Sequence, residues 1–131
     1  VIADHSPHIL PKLQQLLQQP KLIYTIPGHD ANGNFHIIPL MDLGSPISAD
    51  TILDLSKKVY DLVNEYHGSI TAEHNDGIIR TPFLTQMFGD SVVALFKQTK
   101  EIFDPNYIFN PGKKVGGTFE DIRKYIKKNN S

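Results

Sequence analysis

Apolar and polar positions alternate along this chain with periods that change several times. Residues 8–19 place Leu10, Leu13, Leu16 and Leu17 on one helical stripe, and Pro20 is expected to close that helix. Two β-prone runs follow, KLIYTIPGH and NFHIIPLMD, separated by Asp30-Ala31-Asn32-Gly33. Asn-Gly favours a type I′ turn, so a hairpin centred on Asn32-Gly33 is expected, with His29 facing His36. Pro27 and Pro39 lack a ladder N–H, which predicts a sheet edge or bulges.

GSPISAD reads as a loop, and residues 50–67 as the clearest helix. In that helix Ile52, Leu55, Val59, Leu62, Val63 and Tyr66 form one stripe, with Ser48 or Asp50 as N-cap and Gly68 at C′. SITAE reads as a short strand ended by Asn75-Asp76-Gly77. Residues 82–88 make one or two helical turns. Asp90 caps a helix over 91–103, with Val92, Val93, Leu95, Phe96, Thr99, Ile102 and Phe103 as its buried face. Asp104-Pro105 stops it, DPNYIFNPGKKVGG is extended, and Thr118 caps a last helix over 119–128 with Ile122, Tyr125 and Ile126 inward.

Helices and strands mix without regular βαβ spacing, so the expected class is α+β. The expected arrangement is a mainly antiparallel sheet with helices packed on one side. Three good strands are few for an independent domain, and the chain starts at Val1 without a leader signal, so a piece of a larger protein is expected.

Composition narrows the chemistry. The 131 residues contain no Cys, which excludes disulfides, thiolate metal sites and Cys nucleophiles. No apolar run approaches the roughly 20 residues of a membrane span. The net charge of −1 argues against nonspecific nucleic-acid binding. Eight of the 13 Lys and Arg lie from Lys97 onward with only four acids, a balance that suits solvated helix ends, the alternative being a nucleic-acid or membrane patch, which the lack of interleaved aromatics and length disfavours.

The candidate chemistry centres on histidine. A His29–His36 pair on one hairpin face can hold a divalent ion, or it can be a stacked, chemically idle pair. Glu73 would complete a His, His, carboxylate set suited to zinc, manganese or iron(II), or else it forms a surface salt bridge. Strand alternation would send Glu73 and His74 to opposite sides. His74 is either functional or a turn residue. His5 and His8 are expected to be solvent-exposed, and His67 to be a helix-end cation.

Three segments carry a family resemblance. Gly28-His29-Asp30-Ala31-Asn32-Gly33-Asn34-Phe35-His36 resembles the GHxxxGNxH segment of the FAD-linked oxidase C-terminal (cap) region. Thr71-Ala72-Glu73-His74-Asn75-Asp76-Gly77-Ile78-Ile79-Arg80 resembles that family's EHGxGxx(K/R) segment, with Ala72 and Asn75 standing where the family has Gly. Phe103-Asp104-Pro105, then Asn110-Pro111-Gly112-Lys113, resembles its closing DPxxxxNPGK signature. The family includes D-lactate dehydrogenases, glycolate oxidase subunits and D-2-hydroxyglutarate dehydrogenases, within the vanillyl-alcohol oxidase superfamily. Asp76 with Arg80 is similar to the larger relatives that also carry iron–sulfur modules.

The resemblance implies a partial ferredoxin-like cap domain over residues 1–104. Residues 105–131 would return toward an FAD-binding domain outside this chain. It implies an FAD-dependent enzyme that oxidises a small D-2-hydroxy acid by hydride transfer to flavin. His29, His36 and Glu73 would hold a divalent metal, with zinc favoured over manganese or iron. His74 would take the hydroxyl proton, Arg80 and Asn34 would bind substrate, and Asn110 and Lys113 would approach the flavin. Arg80 could equally brace Asp76. Implied partners are the substrate, the chain's own FAD domain, an electron-acceptor protein or quinone, and a second copy in a homodimer. The parent would be cytoplasmic or peripheral at the membrane, and the isolated chain inactive. Two other classes compete: a non-catalytic binding or oligomerisation module, and a metal hydrolase, which would lack the usual HExxH helix.

Overall fold

The computed structural model describes residue 1 and residues 3–18, 22–41 and 46–126. The chain divides into two compact units, Val1–Glu73 joined by Ile126, and His74–Tyr125. The expected helix ends at Pro20 and at residues 127–128 lie outside the described residues. The helices and short antiparallel pairings bear out the α+β class.

The first unit is built on two helices and a ribbon. A 3₁₀ turn, Ala3–His5, leads into α1 (Ser6–Gln18). Strands β1 (Ile23–Thr25), β2 (Gly28–His29), β3 (Asn34–Phe35) and β4 (Ile38–Leu40) follow, then α2 (Pro46–Glu65). Ile9, Leu13 and Leu17 of α1 pack with Leu55, Val59 and Leu62 of α2. Each such side chain contributes about 1.5–3 kcal/mol when fully buried. Tyr24, Ile26 and Ile37 of the ribbon lie against this cluster. The expected GSPISAD loop is in part helix. Pro46 opens α2, where the missing N–H and fixed φ fit a first turn.

The far end of α2 closes differently from expectation. The left-handed residue is His67, at φ 51, rather than Gly68. Gly68 N–H donates to Val63 O at 2.8 Å and His67 N–H to Asn64 O at 2.9 Å, the paired bonds of a Schellman end. Gly68 is needed for space instead: a β-carbon there would lie 2.8 Å from Val63 Cγ1.

The ribbon keeps one register throughout. Ile23 pairs Leu40, Tyr24 pairs Pro39, Thr25 pairs Ile38, Gly28 pairs Phe35, and His29 pairs Asn34. Between the two ladders His36 N–H donates to Pro27 O at 2.8 Å. The prolines interrupt the ladder without a bulge. This corrects the expected register by two residues. A type I′ turn needs positive φ at both Asn32 and Gly33, but only Gly33 has it, at 61°. The reversal is a 3₁₀ turn over Asp30–Asn32 followed by left-handed Gly33.

The SITAE strand does not form either. Ser69 Oγ accepts from Thr71 N–H at 3.2 Å and meets Thr71 Oγ1 at 2.8 Å, and Ala72 is left-handed at φ 46. Short polar side chains here satisfy the backbone locally, which competes with a ladder. The expected alternation of Glu73 and His74 therefore has no strand to rest on.

The second unit contains α3 (Gly77–Arg80), a 3₁₀ turn at Thr81–Phe83, α4 (Leu84–Phe103) and α5 (Phe119–Tyr125). Gly89, at φ 77 and ψ 163, breaks α4 into two helical segments just before Asp90. The expected buried face of the longer segment is mostly open: Ile102 is 74% and Phe103 81% exposed, and Leu95 and Thr99 are exposed as well. Thr118 caps α5 through a reciprocal pair with Asp121. Asp121 N–H donates to Thr118 Oγ1 at 3.2 Å, and Thr118 N–H returns to Asp121 Oδ2 at 2.8 Å. These bonds from Thr118 hold the Asp121 carboxyl below its ordinary range. Ile122 is buried and Tyr125 is exposed. Among the described residues no helix is long and apolar enough to cross a membrane.

Candidate substrate and metal site

Asn34 and His36 stand two positions apart on one arm of the ribbon, so an extended backbone aims them the same way. Both meet Glu73. Asn34 Nδ2 donates to Glu73 Oε2 at 3.0 Å, and His36 Nε2 lies 3.4 Å from Glu73 Oε1. The two oxygens of one carboxylate are thus shared between an amide and an imidazole from the hairpin. An imidazole nitrogen and a carboxylate oxygen side by side are a donor set that a divalent ion can take up.

His29 sits opposite Asn34, not opposite His36. That makes it a diagonal neighbour of His36, at about 7–8 Å by ribbon geometry, a span long side chains can bridge. Among the described residues of the first unit, no third ligand joins the His36–Glu73 pair. His74 follows Glu73 directly, on the other side of the boundary between units, and is exposed. Two other histidines are structural. His5 is half-buried rather than exposed, with Nδ1 3.4 Å from Tyr66 O and its ring edge-on to Tyr66. His67 is the left-handed helix end described above, and His8 is exposed as expected.

The loop after His74 keeps a glycine-like backbone without the glycines. Ala72 and Asn75 are left-handed at φ 46 and φ 59, and Gly77 follows at φ 58. Asn tolerates this conformation, whereas Ala is strained there by about 1–2 kcal/mol. Arg80 Nη1 donates to Asn75 O at 3.0 Å. The alternative in which Arg80 braces Asp76 is corrected: the ammonium 2.6 Å from Asp76 Oδ2 belongs to Lys114.

The closing segment is organised by Asp104, which is buried. Its Oδ1 accepts from Ile108 N–H at 3.0 Å and its Oδ2 from Phe109 N–H at 2.9 Å, and Lys100 pairs with the same carboxylate. The Lys100 hydrogen bond, aided by the two backbone donors, holds the Asp104 carboxyl below its ordinary range against the opposing effect of burial. Tyr107 is pushed up, by burial first and then by the nearby Glu101 carboxylate. Asn110 and Lys113 come together: Lys113 Nζ donates to Asn110 Oδ1 at 3.3 Å, and both are exposed. Sequence reasoning missed Lys114. The signal for it was the second lysine of Gly112-Lys113-Lys114, following a turn that must be left-handed.

The ribbon carries the GHxxxGNxH side chains, the Glu73-His74 pair follows further along the chain, and Asp104 organises the turn that carries Asn110-Pro111-Gly112-Lys113. Residues 1–114 match the family model for FAD linked oxidases, C-terminal domain, and the chain belongs to that family. It is 30% identical over 109 residues to the glycolate oxidase subunit GlcD of Escherichia coli K12, covering 83% of this chain and 22% of that protein. It is 34% identical over 98 residues to D-2-hydroxyglutarate dehydrogenase of Pseudomonas putida KT2440, covering 75% of this chain and 10% of that protein. It is 33% identical over 87 residues to D-lactate dehydrogenase of Anaerostipes hadrus, covering 66% of this chain and 19% of that protein. The chain thus spans a tenth to about a fifth of the length of these curated relatives.

Proposed function

We propose that this chain supplies the substrate-side wall of an FAD-dependent enzyme that oxidises a small D-2-hydroxy acid. The observation that carries this reading is the Glu73 carboxylate, held at one oxygen by Asn34 and faced at the other by His36. Membership in the FAD linked oxidase family supports the redox class. The named relatives act on glycolate, D-2-hydroxyglutarate and D-lactate, which share an α-hydroxy carboxylate.

In this reading His36 and Glu73 would hold a divalent ion, and His29, which does not approach them in this structure, would have to turn toward them from the ribbon diagonal to serve as the third ligand. Such an ion, zinc in the first instance and manganese or iron as substitutes, supplies a Lewis acid for the hydroxyl and carboxylate oxygens. FAD, bound mainly outside this chain, would supply the hydride acceptor. His74 would take the hydroxyl proton on a ring nitrogen, a task suited to an imidazole. Arg80 offers its guanidinium to a substrate carboxylate. Asn34 reaches substrate with the amide oxygen that Glu73 leaves unused. Asn110 and Lys113 would face the flavin, and the segment from residue 105 onward would lie on the side of the flavin domain. The open Ile102, Phe103, Ile108 and Phe109 surface docks on that domain. Electrons then pass to a protein or quinone acceptor, in a cytoplasmic or membrane-peripheral enzyme that could pair as a homodimer. The isolated chain has no turnover.

The test is rapid-mixing reduction of flavin in the full-length protein under anaerobic conditions, with glycolate and with both enantiomers of lactate and 2-hydroxyglutarate. Reduction by a D-2-hydroxy acid or glycolate is expected. Reduction by none of them, or by L-enantiomers alone, sinks the reading.

A further inference from the structure

Asp76 is a buried carboxylate that the proposed chemistry does not use. It is 1% exposed, and among the described residues no hydrogen-bond donor serves its Oδ1. Among the described residues its charged partner is Lys114, whose Nζ lies 2.6 Å from Oδ2. A charge so deeply buried is tolerable only when paired. Lys114 is itself held at two further points. Its backbone N–H donates to Thr81 Oγ1 at 2.7 Å, its ammonium stands 5.0 Å over the Phe96 ring, and its φ of 64 is left-handed. Thr81 Oγ1 in turn donates to Gly77 O. The turn is pressed onto Thr81 further along: a β-carbon on Gly117 would lie 2.9 Å from Thr81 Cγ2. One residue of the closing turn therefore grips the 74–81 segment twice, at Asp76 and at Thr81, whose hydroxyl in turn bonds Gly77 O.

We propose that Lys114 is a positioning residue: it neutralises Asp76 and clamps Thr81, and so fixes the loop that presents His74. The inference rests on the reading of His74 as the proton acceptor. This role asks for no contact between Lys114 and substrate or flavin. It acts by holding the bend at Asn75 and Asp76, whose own closing bond runs from Asp76 N–H to Asn75 Oδ1 at 2.9 Å. An orientational error at a catalytic group costs rate rather than affinity.

The experiment uses the full-length flavin-bearing protein with Lys114→Met and Lys114→Arg. Peptide-level deuterium uptake over residues 74–81 is measured beside steady-state kinetics. With Lys114→Met, uptake over 74–81 is expected to speed up. Its kcat should fall about 10- to 100-fold while KM stays within about twofold. Lys114→Arg should restore most of both, because it keeps the charge. If Lys114→Met does not fold, Lys114→Gln carries the same comparison. Unchanged uptake over 74–81, an unchanged kcat, or a loss that Arg does not repair would overturn the proposal. A parent that reduces no flavin with any 2-hydroxy acid defeats the assigned reaction, while the uptake measurement still decides the Lys114 tie.

Discussion

His36 Nε2 faces Glu73 Oε1 at 3.4 Å, and the hairpin residue two positions earlier, Asn34, secures the other oxygen of the same carboxylate at 3.0 Å. This arrangement makes the carboxylate's orientation a property of the ribbon. His36→Ala and Glu73→Gln are expected to remove bound zinc from the full-length protein. Asn34→Ala should weaken zinc binding by about 10- to 100-fold while leaving a site, as loss of an outer hydrogen bond does. Elemental analysis and zinc titration against a competing chelator check this; unchanged stoichiometry in His36→Ala rejects the ligand role.

His74 is carried on the peptide bond that follows Glu73, so any oxygen bound beside Glu73 is within a residue of an imidazole. His74→Ala is expected to slow substrate-dependent flavin reduction by about 10²-fold or more, the usual contribution of a positioned general base. Single-turnover reduction at saturating substrate isolates the step. A rate equal to that of the parent removes His74 from the chemistry.

Ala72 occupies a left-handed backbone position at φ 46, next to Glu73. An L side chain with a β-carbon is strained there, and glycine is not. Ala72→Gly should therefore stabilise the fold by up to about 1 kcal/mol once glycine's extra unfolded-state freedom is subtracted, read as a higher urea midpoint. A fall in the midpoint would mean that the methyl group is packed and that packing outweighs the backbone strain.

What the residue pattern revealed, and what it concealed, divides along physical lines. Helical stripes such as Leu55, Val59 and Leu62 were legible because burial repeats with the helical period. The α5 cap was legible because Thr118 and Asp121 act within one turn. The hairpin was legible, but not its register. Asn-Gly permits a two-residue turn without requiring it, and here Asn32 stays right-handed. The SITAE segment has strand composition, yet Ser69 and Thr71 bond each other and Ala72 reverses the chain. The face of α4 was misjudged for another reason. Periodicity reports that Ile102 and Phe103 are apolar on one side, not that a cover lies within the same 131 residues. The pairing of Glu73 with His36 was legible as a candidate ligand set, whereas the Asn34 contact with Glu73 left no trace in the pattern, because it joins ribbon and loop across a long stretch of sequence. The Lys114–Asp76 pair left almost no trace, since a surface-type lysine gives no hint of a buried partner.

Asp104 gives the last prediction, on the acid side of the stability curve. Lys100 and two backbone N–H groups hold its carboxyl below the usual range in the folded protein. The unfolded chain has the ordinary value, about 3.9 for Asp. A depressed folded value means that the folded state favours the ionised form. The resulting stabilisation is fully present above pH about 4 and is lost as pH falls through the lower folded value. Asp104→Asn keeps the size of the side chain but cannot take up that proton, and its NH₂ cannot replace both acceptors. Its midpoint in urea should lie below the parent's at pH 6, and the gap should narrow steadily from pH 4 toward pH 2. Ile108 and Phe109 amide protons, bonded to this carboxylate, should lose protection over the same interval. A gap that stays constant between pH 6 and pH 2 would show that Asp104 stabilises the turn without its charge.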